Sequence, residues 1–183
     1  MDEAGNRELI GRALLGLLAE GRTVSYGAAA ERAGVSKGLV QHYFPDRARL
    51  IRFAAATLAA RMRDRLQAAA SPEAAPSAML SDILVALLPT TEETRLDEAA
   101  GRALFAIALT DPETNTAYRD GRRAINGMVR DLLLAAVPDQ DPDPTVRDLL
   151  GTLNEVATDL LLGDLAPATA RTLLRDRVAR ATG

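Results

Sequence analysis

The side chains with the clearest chemical use in this 183-residue chain form a short polar run at residues 37–42. Lys37 can donate to the O6 and N7 atoms of guanine, and Gln41 can pair with the N6 and N7 atoms of adenine. His42 can contact a base or a phosphate, Leu39 can touch a thymine methyl group, and Gly38 leaves room for close approach of the backbone. Residue types of this kind on one short segment favour contact with base edges in DNA.

Residues around this run are suited to the DNA backbone. Four flanking side chains carry hydrogen-bond donors that fit phosphate oxygens, namely Ser25, Tyr26, Tyr43 and Arg47. Phosphate contacts fix the position of a protein on DNA without reading its sequence. Ser36 is expected to begin the helix that carries the run and to lie beside the DNA. Two alternatives stay open: Ser36 and Lys37 serve only as a helix start, and His42 is exposed without a specific contact.

Composition excludes several kinds of catalytic chemistry. The chain has no cysteine, which excludes disulfides, thiolate nucleophiles and cysteine-based zinc sites. Its single histidine, His42, excludes a histidine-built metal site or a Ser-His-Asp relay elsewhere. Acidic residues occur as adjacent pairs such as Glu92-Glu93, and the sequence contains no glycine-rich phosphate loop. We therefore expect no catalytic residue, no metal, no cofactor and no enzymatic activity.

Charge and hydropathy point to a protein of the cytoplasm. The net charge is −3, but residues 1–50 hold seven basic and six acidic residues, against fifteen and nineteen in residues 51–183. The N-terminal segment is thus the part that is free of net negative charge, which is a weak indication of nucleic-acid binding. No apolar run reaches the roughly 18–20 residues needed to cross a bilayer, and the first residues are acidic rather than signal-like. We expect a cytoplasmic protein without membrane contact.

The elements that position the polar run are predicted to be helices throughout. Apolar residues recur at three- and four-residue spacing, and no alternating, strand-like run of useful length is present. The pattern predicts three short helices in a DNA-binding domain at residues 1–45 and six mostly longer ones in a domain at residues 46–183. The predicted helices cover about 7–20, 26–33, 37–44, 46–70, 77–88, 92–109, 112–137, 144–162 and 167–181.

The second and third predicted helices have the spacing of a helix-turn-helix. They are separated by the sequence AGVS, a tight turn that contains Gly34. On the third helix Val40 and Phe44 are four residues apart and are predicted to face the core. Lys37, Gly38, Gln41 and His42 then fall on the opposite, exposed face.

The segment from Ala29 to Leu50, AAERAGVSKGLVQHYFPDRARL, resembles the DNA-binding signature of the tetracycline-repressor (TetR) family. In that family an AGVS turn precedes a recognition helix that ends in an aromatic segment, followed by a basic residue and a leucine. Gln41 stands where the family usually has tyrosine, and Leu39 replaces a frequent threonine. Residues 87–113, LLPTTEETRLDEAAGRALFAIALTDPE, resemble the branch of choline- and betaine-responsive regulators.

The resemblance implies a small-molecule effector bound by the helices between Asp46 and about Val137. The candidate pocket residues are Met62, Met79, Arg102, Phe105, Tyr118 and Asn126. Ordinary core packing is the alternative for the apolar members of this set. For Arg102 the alternative is an ion pair with Glu98, one helical turn earlier.

The resemblance also implies a homodimer formed by the last two helices. A wide apolar stripe on both helices agrees with it, and the candidate interface residues are Leu149, Leu150, Leu153, Asn154, Ala157, Leu161 and Leu173. The alternative is that the stripe completes the core of one protomer. A dimer would place two recognition helices about 34 Å apart, which suits a palindrome read in successive major grooves.

Together these features predict an all-α regulator that represses transcription and leaves a palindromic operator when a small molecule binds. A transcriptional activator, or a regulator controlled by a protein partner, is the alternative. A helical interaction module without DNA binding is a further one.

Overall fold

Nine α-helices and no strands form residues 3–183, the part of the chain that the computed structural model describes. The helices are α1 Glu3–Ala19, α2 Tyr26–Ala33, α3 Lys37–Tyr43, α4 Arg47–Ala69, α5 Pro76–Ala86, α6 Glu92–Ala108, α7 Pro112–Ala136, α8 Pro142–Leu162 and α9 Pro167–Thr182. The predicted all-α class and helix number are confirmed for this range.

Helix ends are set by the capping residues that the sequence indicates. Gly34 and Gly163 follow α2 and α8 with φ of 68° and 85°, a left-handed conformation that glycine adopts without steric cost. Asp46 begins α4 by accepting a hydrogen bond from the Arg49 amide at 2.7 Å. Asp111 begins α7 in the same way, with the Thr114 amide at 2.7 Å. Local chemistry therefore explains most helix bounds.

The start of α8 differs from the prediction. The segment PDQDPDP was expected to be a loop as far as Pro144, but α8 begins at Pro142. Asp141 caps the helix by accepting from the Asp143 amide at 3.2 Å. Proline has no amide hydrogen to lose in a first turn, so both prolines fit inside the helix start.

The chain divides into two compact units, each with its own core. The first unit comprises the chain up to Arg61 together with Leu96–Arg119, and the second comprises Met62–Arg95 and Asp120–Gly183. The unit that contains α1–α3 thus also contains the first part of α4 and all but the first turn of α6. A functional division after residue 45 stays a prediction.

The first unit buries apolar residues from α1, α2, α3, α4 and α6. The fully or almost fully buried members include Ile10, Leu14, Leu17, Ala29, Val40, Phe44, Leu50, Ala54 and Leu104. Because Val40 in α3 and Phe44, the residue that follows it, both belong to this core, one side of that short helix is held by hydrophobic contact.

The second unit has a separate core made by α5, α7, α8 and α9. Its most buried members include Leu80, Leu84, Val129, Leu133, Leu149, Leu160 and Leu174. Among the described residues, no helix is long and apolar enough to cross a membrane.

Candidate nucleic-acid interface

The turn between α2 and α3 is built from backbone hydrogen bonds. The Val35 amide donates to the Ala30 carbonyl at 3.0 Å, which closes the turn after the left-handed Gly34. Ser36 lies in an extended conformation, and its Oγ accepts from the Leu39 amide at 3.1 Å. The geometry of a helix N-cap explains why α3 begins at Lys37.

The two sides of α3 have opposite character. Val40 is fully buried and Phe44 is 3% exposed, whereas Lys37, Gly38, Gln41 and His42 are all exposed. Leu39 is half-buried. The predicted burial of Val40 and Phe44 and the predicted exposure of the other four residues are confirmed, whereas contact with bases stays a prediction.

Ser25 begins α2 at the other end of the helix pair. Its Oγ accepts from the Ala28 amide at 3.2 Å, so the oxygen is used as a cap. The hydroxyl hydrogens of Ser25 and Ser36 stay available for donation, since a hydroxyl both donates and accepts. The nearby phenols of Tyr26 and Tyr43 belong to half-buried residues. Contact of these four groups with phosphate stays a prediction.

Arg47 has a structural contact that sequence reasoning missed. Its Nε donates to the Val24 carbonyl at 3.0 Å, joining the first residue of α4 to the residue before Ser25. The contact spans 23 positions of the chain. No local pattern points to it, because it depends on how the chain turns back on itself.

A second joint of this kind links α1 to α2. Arg32 Nη1 lies 2.7 Å from Glu20 Oε2, and this hydrogen bond lowers the pKa of the Glu20 carboxyl below its ordinary value. The guanidinium passes over Gly16, where a Cβ atom would lie 2.5 Å from Arg32 Nε. Absence of a side chain at Gly16 thus makes room for the bridge.

The candidate effector residues fall in both units. In the first unit, Arg102 Nε pairs with Glu98 Oε1 at 2.9 Å, as the structural alternative predicted. The rings of Phe105 and Tyr118 lie 5.3 Å apart, and Phe105 is 44% exposed. These three residues therefore have partners within their own unit.

An open groove of about 570 Å³ lies in the second unit. Of the candidate residues Met79 lines it, whereas Met62 packs against the core and Asn126 is exposed elsewhere on α7. The remaining lining residues were not predicted: Ala70, Ile83, Arg123, Ala124, Gly127, Met128, Asp131 and Leu132. The side-chain carboxylates and the histidine of residues 3–183 form no cluster of three that could hold a metal ion.

The candidate dimer residues differ in how much surface they expose. Leu149 is fully buried and Ala157 is 4% exposed, so the core of their own unit already covers them. Leu150, Leu153 and Leu161 are half-buried, and Asn154 and Leu173 are exposed. The most exposed large apolar residue of these helices is Leu162, at 71%, which is not among the predicted interface residues.

Arg95 fixes the C-terminal end of α8. Its guanidinium donates to the carbonyl oxygens of Leu160 and Leu161, the latter at 2.9 Å. A cation that satisfies the last carbonyls of a helix also opposes the negative end of the helix dipole. These bonds hold the segment that carries the exposed Leu162.

Comparison with known proteins shows which proteins this chain resembles in sequence. Residues 76–183 match the model of the C-terminal domain of BetI-type transcriptional repressors. Over 92 residues the chain is 30% identical to the HTH-type transcriptional regulator PksA of Bacillus subtilis; the match covers 50% of this chain and 45% of PksA. The chain thus matches less than half the length of that curated relative.

Solved structures share the fold along almost the whole chain. A regulator assigned to the TetR family from Rhodococcus sp. has a TM-score of 0.86 at 20% identity, with 97% of this chain and 99% of that chain covered. A protein described as a transcriptional regulator from Saccharomonospora viridis, crystallised with choline, has a TM-score of 0.86 at 18% identity, with 97% of each chain covered. Because the family model covers more than half of the sequence and the predicted resemblance is confirmed, the chain belongs to the TetR family of transcriptional regulators, with a C-terminal part of the BetI type.

Proposed function

We propose that this protein is a homodimeric repressor that binds a palindromic operator and leaves it when a small molecule binds. In this proposal residues 1–45 read the DNA, and residues 46–183 bind the effector and dimerise. Such a regulator acts where the chromosomal DNA is, in the cytoplasm.

The observation that carries the DNA-binding part is the outer side of α3. Lys37, Gln41 and His42 are exposed there, while Val40 and Phe44 fix the opposite side in the core. An α-helix with its side chains is about 10–12 Å wide, which fits a major groove of about 12 Å. The exposed donors would then meet base edges, with Gln41 suited to adenine and Lys37 to guanine.

Flanking groups would set the position of α3 on the duplex. Ser25 and Ser36 are the N-caps of α2 and α3. The cap hydrogen bonds fix the positions of their hydroxyl groups. Arg47 uses Nε for the Val24 carbonyl, which leaves its terminal nitrogens for a phosphate. Phosphate contacts of this kind give register, and base contacts give specificity.

An operator-binding assay tests this assignment. An operator duplex is selected with the wild-type protein from the DNA upstream of the gene and compared with a random duplex. We expect Gln41→Ala and Lys37→Ala each to weaken operator binding by roughly 1–3 kcal/mol and to reduce specificity. Gln67→Ala, at an exposed position of α4, is the matched control and should bind as wild type. Unchanged operator binding by both α3 variants would contradict the assignment.

The proposed dimer rests on exposed leucines of the last two helices. Leu162 is 71% and Leu173 is 42% exposed in the protomer. A contiguous exposed apolar patch marks an association site, whereas single exposed leucines are normal, so the proposal requires Leu162 and Leu173 to form one patch with the half-buried Leu150, Leu153 and Leu161. Two copies joined in this way would present two recognition helices to one palindrome.

The groove of the second unit supports the effector part. It has a volume of about 570 Å³ and is an open groove rather than an enclosed chamber, so it would cover a ligand only in part. Met79, Ile83, Met128 and Leu132 give it apolar walls, and Arg123 and Asp131 add one charge of each sign. A ligand with an apolar body and a polar group fits this lining. The choline bound to the Saccharomonospora viridis regulator makes small organic cations sensible first compounds for a screen.

Filling the groove tests the effector site. A Cβ at Gly127, which lines the groove, would meet no atom within 4 Å, so Gly127→Leu places a side chain in open space. We expect this variant to bind the operator normally and to lose release by the compound found in the screen. Gly121→Leu, also unobstructed and on the same helix but outside the groove, is the control. If the compound releases both variants from the operator equally well, the groove is not the effector site.

Transcription in vitro distinguishes a repressor from an activator. With an operator that overlaps the promoter, the protein should lower transcript yield, and the effector should restore it. A rise in transcript on adding the protein would favour the activator.

A further inference from the structure

One guanidinium in α1 contacts three aromatic rings from two other elements. The Cζ atom of Arg7 lies 5.1 Å from the ring centroid of Phe53, 5.6 Å from that of Phe44 and 5.8 Å from that of Tyr43. Phe44 and Tyr43 form the C-terminal end of α3, and Phe53 belongs to α4. A cation within about 6 Å of a ring centroid is attracted by the negative face of the ring.

The three rings also contact each other in sequence. The centroids of Phe44 and Phe53 are 4.8 Å apart, and those of Tyr43 and Phe44 are 6.3 Å apart. His42 continues the row, with its ring 5.6 Å from that of Tyr43. The row therefore runs from α4 to a residue on the outer face of α3.

The helix that carries Arg7 is held close to α4 one turn further on. A Cβ at Gly11 would lie 2.8 Å from Thr57 Oγ1 and 3.4 Å from Phe53 Cε1. Thr57 is fixed in turn, since its hydroxyl donates to the Phe53 carbonyl at 2.8 Å. Residues 7 and 11 lie on the same side of a helix. The close crossing at Gly11 therefore determines where the Arg7 guanidinium reaches.

Ion pairing does not explain the position of Arg7. Within residues 3–183 no carboxylate lies at salt-bridge distance from it, whereas Arg12 on the same helix pairs with Glu8 at 3.0 Å. Arg7 is half-buried, and its charged group is directed toward the rings rather than toward an acidic neighbour. Contact with the rings is thus its main interaction among the described residues.

We propose that Arg7 is a positioning residue that holds the C-terminal end of the recognition helix α3 against α4 through Tyr43, Phe44 and Phe53. This inference rests on the proposed operator binding, which it extends to a residue outside the helix-turn-helix. The helix α3 has only seven residues and is too short to be stable by itself, so its outer side chains keep their direction only while Val40 holds its middle in the core and both ends are held. Ser36 holds the first end by capping, and the Arg7 cluster holds the second.

The test compares Arg7→Met, Arg7→Lys and the control Arg12→Met in the full chain. Arg7→Met keeps the length and apolar part of the side chain but removes the cation, and Arg7→Lys keeps a cation. Without DNA, amide hydrogen exchange of residues 39–44 is measured. With DNA, Kd is measured for a duplex selected by the wild-type protein and for a random duplex.

We expect Arg7→Met to speed exchange in residues 39–44 and to weaken binding to the selected duplex roughly tenfold, with little change on the random duplex. Arg7→Lys should recover part of the loss, and Arg12→Met should match wild type. Unchanged exchange in Arg7→Met overturns the inference. Equal loss on both duplexes also overturns it, because Arg7 would then act as a phosphate contact.

The same measurements give a different result if the proposed operator binding itself is wrong. If the wild-type protein binds every duplex equally while Arg7→Met still exchanges faster in residues 39–44, operator recognition is wrong and the positioning of α3 by Arg7 stands.

Discussion

Among residues 3–183, arginine side chains make the side-chain hydrogen bonds that join residues far apart in the sequence. Arg47 reaches the Val24 carbonyl, Arg32 reaches Glu20, and Arg95 reaches the end of α8. Lys37 is the only lysine of the chain, so almost every cation is a guanidinium. The planar guanidinium has five donors and stays charged, which suits it to joining separate elements.

A further guanidinium contact, with a buried carboxylate, joins α4 to α6. Arg61 Nε lies 2.9 Å from Asp97 Oδ1, and Asp97 is 2% exposed. Replacing the carboxylate with an amide would remove the negative charge that faces this partly buried guanidinium. We therefore expect Asp97→Asn to lower the free energy of unfolding by about 2–3 kcal/mol, measured by urea denaturation; this is less than the ~3–5 kcal/mol of a fully buried pair because Arg61 is partly exposed.

Asp120→Asn provides the control for this prediction. Asp120 pairs with Arg123 at 2.8 Å, but both side chains are more than 60% exposed. An exposed pair contributes only about 0–1 kcal/mol, so this variant should unfold close to wild type. If both substitutions lower the free energy of unfolding equally, burial of the ion pair does not determine how much it stabilises the fold.

At the scale of elements, an ion pair connects α8 to α9. Arg177 Nε donates to Asp148 Oδ2 at 2.7 Å, and its Nη2 donates to the other carboxylate oxygen. The hydrogen bonds from Arg177 hold the pKa of the Asp148 carboxyl below its ordinary value of 3.8. Two parallel hydrogen bonds also fix the relative orientation of the side chains.

This pair predicts a pH dependence that a variant can isolate. A carboxyl whose folded pKa is lowered stabilises the fold above its unfolded pKa, and the stabilisation is lost as the pH falls through the folded pKa. Asp148→Asn should therefore melt below wild type at pH 7, and the difference in Tm should shrink as the pH falls below 3.8. Circular dichroism melts between pH 7 and pH 2.5 measure it. Asp176→Asn, at an exposed position of α9, serves as control. A difference in Tm that stays constant with pH would argue against the pair.

At the scale of the whole molecule, the proposed dimer determines how well the protein reads DNA. One recognition helix contacts few base pairs. A dimer places two recognition helices about one helical turn of DNA apart, so it contacts twice as many base pairs when it binds once. Loss of the dimer should thus weaken operator binding even when α3 is intact.

Leu173→Glu tests this link between association and DNA binding. Placing a charge at an exposed leucine of α9 should raise the dimer dissociation constant at least about 30-fold if Leu173 is a central contact. Light scattering after size exclusion measures the mass, and the operator Kd should weaken in the same variant. Leu109→Glu, at a leucine of the first unit that is 67% exposed, is the control. Dissociation by the Leu109 change alone would place the interface elsewhere.

Local chemistry made much of this protein readable from its residues alone. The caps at Ser25 and Ser36, the left-handed glycines and the four-residue spacing of Val40 and Phe44 act over one or two turns. These local features were enough to predict the number of helices, most of the helix bounds, and which side of α3 is buried. The first two residues of α8 were not predicted, because proline is tolerated at a helix start and does not mark the end of a loop.

Contacts between distant parts of the chain were decided only by the tertiary structure. An apolar stripe on α8 predicts burial, but it does not say whether the cover comes from the same protomer, as for Leu149, or from outside, as we propose for Leu162. The bond from Arg47 to Val24 and the contact of Arg7 with three rings have the same origin. Each of these contacts depends on which residues the fold brings together. The spacing of residues along one helix does not tell which other helices pack against it.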